Sequence, residues 1–118
     1  MAGHRDIIAW RKAMDLAVAC YPLTLQLRAG RHADLASQLF RASISVPTNI
    51  AEGQGRGTDR DFARFLDISM GSDREVETLV ILTDRFGLAK WATTAELLKR
   101  TDEVAALIHG LRRSKRPT

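Results

Sequence analysis

Apolar residues recur at steps of three and four along most of the chain, which is the spacing of one face of an α-helix. The first stripe follows Asp6, the expected N-cap, and runs to Gly30, a residue type that commonly ends helices. Pro22 lies inside it and predicts a kink, because proline lacks a backbone donor. The stripe consists of Ile7, Trp10, Met14, Ala17, Val18, Tyr21 and Leu25.

A second stripe begins near Asp34 and predicts another helix. Pro47 lies inside this stripe, so a kink is expected in the preceding turn. Gly53, Gly55 and Gly57 then predict the end of the helix and a tight connection. The apolar positions are Leu35, Leu39, Ala42, Val46 and Ile50.

Two capping-box patterns precede the last two stripes. Thr58 and Asp61 open the third helix, and Thr93 and Glu96 open the fourth. Gly71 lies within the third helix, where its cost of about 1 kcal/mol against alanine predicts close packing. The third stripe is Phe62, Phe65, Leu66, Ser69, Val76, Leu79, Val80, Thr83 and Phe86; the fourth is Leu97, Leu98, Thr101, Val104, Ala105, Ile108 and Leu111.

These stripes predict an all-α fold, because no segment alternates apolar and polar residues as a strand does. Four amphipathic helices with short connections indicate an antiparallel up-and-down four-helix bundle. We expect one domain over residues 1–118, with a basic tail over 112–118. Four apolar residues off the main stripe of the third helix also suggest self-association: Ile68, Met70, Ile81 and Leu82.

Composition predicts a folded protein, and we interpret the single cysteine and the lack of targeting or membrane segments as signs of a cytoplasmic one. The hydrophobic fraction is 45% and the charged fraction 27%, both near globular averages. Cys20 has no second cysteine to pair with, and we interpret it as a small core or interface residue. No apolar run approaches the roughly 20 residues that span a bilayer, and the N-terminus lacks a signal-peptide pattern.

The net charge of +4 equals the charge of four tail residues, Arg112, Arg113, Lys115 and Arg116. Such a tail can contact phosphates, or it can favour a helix C-terminus and solvate the chain end. Because most aromatic residues fall on predicted core faces, backbone contact to duplex or structured RNA is favoured over stacking on single strands. The candidate nucleic-acid contacts are Arg28, Arg31, Arg56, Arg60, Arg64, Arg112, Arg113, Lys115 and Arg116.

The chain shows no catalytic or metal motif, so we predict neither an enzyme nor a cofactor. The glycines from Gly53 to Gly57 superficially resemble a phosphate loop, but a helix precedes them and a third glycine of the fingerprint is missing. The three histidines stand alone, without ligands at metal-binding spacing. Glu52 and Glu75 lack the Glu-x-x-His pattern of helical di-metal sites.

Polar residues of the second helix form a ridge beside its apolar stripe, and residues of the third helix are expected to face it. We interpret this ridge as a hydrogen-bonded network that fixes helix register, with Arg41 balancing a glutamate. The network comprises Gln38, Arg41, Ser45, Asn49, Glu52, Ser72 and Glu75.

The run from Gln38 to Gly53, which includes Ser-Val-Pro-Thr-Asn-Ile-Ala-Glu-Gly, resembles the signature of the 23S rRNA intervening-sequence protein family. The resemblance continues in Trp10-Arg11-Lys12-Ala13 and in Phe62-Ala63-Arg64-Phe65-Leu66, and extends from Asp6 to Leu111. It implies a bacterial four-helix bundle that assembles as a ring-like homopentamer. It also implies kinship with the accessory variability determinant of diversity-generating retroelements, a basic pentamer that binds nucleic acid and a reverse transcriptase.

Two departures from the family pattern bear on function. Asp73 stands where the family commonly has an apolar residue, and the connection from Arg28 to Ala33 is more basic than usual. The main hypothesis is an oligomeric scaffold that contacts RNA or DNA through basic residues. The alternative is a protein-interaction module that docks a protein partner, with an exposed apolar patch near Trp91 or Ile81. An enzyme is the least expected class.

Overall fold

The computed structural model describes residues 3–115, which form a short 3-10 turn and four α-helices. The turn covers His4–Asp6. The helices are α1 (Ile8–Ala29), α2 (Ala33–Gln54), α3 (Asp59–Arg85) and α4 (Trp91–Arg113). No strand occurs among these residues. The all-helical four-helix bundle predicted from periodicity is therefore confirmed.

The helix starts follow the predicted caps in one case out of three. Thr58 caps α3, and its hydroxyl accepts a hydrogen bond from the Asp61 amide at 3.2 Å. Asp6 lies in the 3-10 turn instead of capping α1. The prediction that Thr93 opens α4 with a capping box was wrong, because α4 already begins at Trp91, after Lys90.

Neither proline divides its helix. Pro22 lies within α1 and Pro47 within α2, and both helices are continuous over 22 residues. Proline removes one hydrogen bond from a helix, and packing against neighbouring helices can compensate for that loss. Pro47 is buried, so such packing is available on α2.

The core confirms the predicted stripe of α2 but not that of α1. Leu39, Val46 and Ile50 of α2 are fully buried. In α1 the core face consists of Ala9, Ala13, Leu16, Cys20, Leu23 and Leu27. The predicted α1 stripe lies beside this face, and its Val18 is 70% exposed. Because α1 is apolar on both faces, its periodicity alone did not identify the buried one.

Each helix packs against two others: α2 against α1 and α3, and α4 against α3 and α1. The Ser69 hydroxyl of α3 donates a hydrogen bond of 2.7 Å to the Val46 carbonyl of α2. Near the other end of α3, the Thr94 hydroxyl of α4 donates to Asp84 at 3.4 Å. The molecule is elongated, with extents of 48 × 20 × 19 Å.

Gly53, within α2, allows a close approach to α3. A Cβ at this position would lie 2.7 Å from the Cβ of Phe65 and 3.1 Å from the ring of Phe62. Gly71 was predicted to allow close packing in α3, but a Cβ there meets nothing within 4 Å. The close contact is therefore made by the glycine at the end of α2.

Candidate functional site

An exposed apolar surface runs along α1 and α2, and we name it the α1–α2 face. Tyr21 of α1 and Phe40 of α2 contact each other across it, with ring centroids 6.1 Å apart. A groove on the same face is bordered by Trp10 of α1 and Pro47 of α2. The exposed large side chains of the α1–α2 face are Met14, Val18, Tyr21, Leu25, Phe40 and Ile44. Apolar patches of this kind mark interaction surfaces on folded proteins.

The off-stripe residues of α3 form a weaker surface. Ile68 is exposed, whereas Met70, Ile81 and Leu82 are half-buried. Met70 packs against the core, which leaves little apolar area for a partner on this side. The α1–α2 face is therefore the more extensive apolar surface. Sequence reasoning missed it because the residues that α1 contributes had been assigned to the core stripe, while Phe40 and Ile44 lay outside the predicted stripe of α2.

Most of the basic site residues gather where α2 ends, α3 begins and α4 ends. We name this group the tail-end cluster: Arg56, Arg60, Arg64, Arg112, Arg113 and Lys115. Three of them face carboxylates, at 2.9 Å for Arg56 to Glu52, 2.9 Å for Arg112 to Asp67 and 3.9 Å for Lys115 to Asp59.

Aromatic rings hold several cations of the tail-end cluster in place. Arg56 and Arg64 lie over the Phe65 ring, at 4.9 and 4.6 Å from its centroid. Lys115 lies 5.2 Å from the centroid of the Phe62 ring. Such contacts orient cations without neutralising them. Arg116, also predicted as a contact, lies outside the described residues.

Arg28 and Arg31 lie at the opposite end of the bundle, since α2 separates them from the tail-end cluster by about 33 Å at 1.5 Å per residue. Both side chains are exposed, and neither forms an ion pair within residues 3–115. The structure thus divides the predicted basic residues into two separate groups.

Only some residues of the predicted polar ridge contact one another in the structure. The Ser45 and Ser72 hydroxyls lie 2.7 Å apart and link α2 to α3, while the Asn49 amide donates to the Ser45 hydroxyl at 2.9 Å. Glu52 faces Arg56. The remaining members, Gln38, Arg41 and Glu75, are exposed, and their side chains form no hydrogen bond or ion pair in the described part of the chain.

A buried carboxyl group lies in the core, at Asp73 of α3. Asp73 is 1% exposed, and its Oδ1 has no hydrogen-bond partner among residues 3–115. Burial, and next the carboxylate of Glu77, raises the pKa of Asp73 from 3.8 to about 7. Burial, followed by the charge of Asp73, raises the pKa of Cys20 to about 12, so this thiol is a weak nucleophile.

Neither a metal cluster nor a membrane span appears in the described residues. Within 3–115, no three His, Cys, Asp or Glu side chains form a group that could hold a metal ion. No helix in that range combines the length and apolar character needed to cross a bilayer.

Comparisons with known proteins identify the family. The family model described as "23S rRNA-intervening sequence protein" matches residues 5–110. The chain belongs to this family. A crystal structure of a protein of unknown function from the S23 ribosomal protein family of Bacteroides thetaiotaomicron is similar to it, with a TM-score of 0.86 and 20% sequence identity. The match covers 90% of this chain and 99% of that one. The search of curated proteins finds no match.

The family assignment agrees with the resemblance seen in the run from Gln38 to Gly53. In this 23S rRNA intervening-sequence protein, that run forms most of α2. It supplies the close approach at Gly53 and the serine link from Ser45 to α3. At 20% identity, the similarity to the Bacteroides protein shows the fold and carries no function with it.

Proposed function

We propose that this chain is a non-enzymatic cytoplasmic scaffold that assembles as a homo-oligomer and contacts nucleic acid through basic residues. The expected assembly is a homopentamer of antiparallel up-and-down bundles. The α1–α2 face is the observation that carries the proposal, because it leaves six large apolar side chains exposed on a small protein.

Contacts along neighbouring helices support the antiparallel arrangement. Moving forward along α2 from Ser45 to Gly53 corresponds to moving backward along α3 from Ser72 to Phe65. Between α3 and α4, Asp67 meets Arg112 and Asp84 meets Thr94, in the same opposed order. Short connections favour this topology in four-helix bundles.

Oligomerisation would also strengthen weak contacts with nucleic acid. One chain carries a net charge of +4, and part of the tail-end cluster is occupied by its own carboxylates. Five linked copies would present five sets of cations, and multivalent contact raises affinity without any new contact type. Arg60, Arg64 and Arg113, which form no ion pair within residues 3–115, are the proposed phosphate contacts together with Arg28 and Arg31.

The oligomer is tested by light scattering on two matched variants. Val18→Glu places a charge on the α1–α2 face, and Ile68→Glu places one on the weaker α3 surface; both residues are exposed, so both variants should fold. We expect Val18→Glu to lower the mass and Ile68→Glu to keep the wild-type mass. The reverse result would move the interface to α3.

Nucleic-acid contact is tested by fluorescence anisotropy with labelled RNA and DNA at two salt concentrations. Phosphate contact predicts affinity that falls steeply between about 50 and 200 mM salt. An affinity that is the same at both salt concentrations would contradict phosphate contact. Absence of binding at low salt, with the oligomer intact, would favour the alternative, a module that docks a protein partner such as a reverse transcriptase. The 65% exposure of Trp91 is the observation that keeps this alternative open.

A further inference from the structure

The end of the bundle that carries the α1–α2 and α3–α4 connections presents two exposed aromatic rings. Phe86, the C-cap residue of α3, is 61% exposed, and Trp91, the first residue of α4, is exposed to a similar degree. The sequence had placed most aromatic residues on core faces. In the structure, Phe62 and Phe65 are buried, whereas Tyr21, Phe40, Phe86 and Trp91 are exposed.

Cations lie next to these two rings in the sequence, and one cation borders the same groove as Phe86. Arg85 and Lys90 flank them in sequence, and Phe86 borders a groove together with Arg31 and His32. Segments 26–36 and 82–94 contain four cations, the fourth being Arg28, against two carboxylates. None of the four cations forms an ion pair within residues 3–115. In the tail-end cluster, by contrast, three of the six cations face carboxylates.

Two helix ends of the same type build this surface. After α3, the Leu88 amide bonds the Thr83 carbonyl at 3.0 Å, and Gly87 takes the left-handed conformation with φ 71°. After α1, the His32 amide bonds the Leu27 carbonyl at 2.8 Å in the same pattern.

The left-handed residue after α1 is an arginine. Arg31 has φ 69°, in a region that favours glycine and disfavours residues with a side chain. The equivalent turn after α3 has Gly87 at this position. A strained conformation kept at an exposed charged residue is typical of binding sites, where the side chain is needed in that place.

We propose that Phe86, Trp91 and the cations around them form a binding site for single-stranded nucleic acid. The two rings stack on unpaired bases, and Arg31 and Lys90 contact the phosphates between them. This pairing of exposed rings and free cations matches a single strand, whose bases are open to stacking. A duplex keeps its bases stacked and offers its phosphates alone. The inference rests on the nucleic-acid part of the proposed function and adds the site and the class of ligand.

The test compares a labelled single-stranded RNA of about 15 nucleotides with a duplex of the same length, by fluorescence anisotropy at low salt. We expect tighter binding of the single strand. The double variant Phe86→Ala/Trp91→Ala should lower that affinity at least about thirtyfold, because it removes two rings and stacking on each contributes roughly 1–3 kcal/mol per base. Trp91→Phe, which keeps a ring, should restore most of the affinity relative to Trp91→Ala.

A matched pair of variants separates this site from the rest of the proposal. Arg60→Ala/Arg64→Ala alters the tail-end cluster and leaves the two exposed rings intact. If it abolishes binding while Phe86→Ala/Trp91→Ala binds as wild type, the single-strand site is refuted and the nucleic-acid scaffold stands. Equal affinity for duplex and single strand also refutes the site. If neither probe binds a correctly assembled protein, the nucleic-acid part of the proposed function fails too.

Discussion

The buried carboxyl group of Asp73 makes the stability of the bundle depend on pH. Burial, and next the carboxylate of Glu77, oppose its ionisation; Arg74 favours it, and Asp102 adds a smaller opposing effect. Its Oδ1 has no hydrogen-bond partner within residues 3–115. The substitution Asp73→Asn keeps the size of the side chain and removes the proton equilibrium. We expect the pH dependence of stability to fall with it.

The raised pKa sets the sign and size of the effect. Between the ordinary value of 3.8 and the folded value of about 7, the folded state binds a proton that the unfolded chain has released. Stability is therefore highest below this window and is lost as the pH rises through about 7. At about pH 5, two units below the folded pKa, the contribution is about 3 kcal/mol relative to pH 8, at about 1.4 kcal/mol per unit.

Urea unfolding followed by circular dichroism at about pH 5 and about pH 8 measures this difference, at one fixed protein concentration. The wild type should be more stable at the lower pH by an amount that Asp73→Asn largely lacks. Asp15→Asn, at an exposed position of α1, serves as the control and should keep the wild-type pH dependence. If Asp73→Asn shows the same pH dependence as the wild type, burial of an ionisable Asp73 is not its cause.

Three further predictions address backbone positions and can be measured by the same unfolding experiment. Gly53→Ala should destabilise the bundle by about 1–3 kcal/mol because its Cβ collides with Phe65, whereas Gly71→Ala should stabilise it by about 1 kcal/mol; equal effects would contradict the assigned contact. Arg31→Gly should stabilise the protein by about 1 kcal/mol by relieving the left-handed backbone, and a loss of stability would show that the arginine side chain supports the fold. Thr58→Ala should cost about 1 kcal/mol through loss of the α3 cap, and an unchanged midpoint would place the helix start elsewhere.

The helical periodicity predicted the number of helices and the core of α2 because those signals are local. It assigned the wrong face of α1, where two apolar faces have the same period. The face with Cys20 and Leu16 is buried, and the face with Val18 is exposed. Choosing between them requires knowing which face meets α2 and α4, and this is a property of the assembled bundle. For that reason the sequence alone did not show which apolar face of α1 is exposed.

The sequence predicted which residue types form the candidate site, but it did not predict how the folded chain arranges them. The arginines and lysines were identified as contacts, but the sequence did not show that Arg56 and Arg112 are paired with carboxylates while Arg28 and Arg31 are not. Pairing depends on helix register and on contacts between helices. Asp73 was noted as a departure from the family pattern, and its burial became visible once α3 was packed against the other helices.

The mass of the wild-type protein in solution, measured by light scattering, tests the central claim most directly. The exposed α1–α2 face predicts a homo-oligomer, and the expected pentamer has five times the monomer mass of 13.1 kDa. A mass equal to a different multiple of the monomer mass would support an oligomeric scaffold and would refute the pentamer. A mass of 13.1 kDa at micromolar concentration would contradict the account, because the apolar face would then be open to solvent without a second copy to cover it.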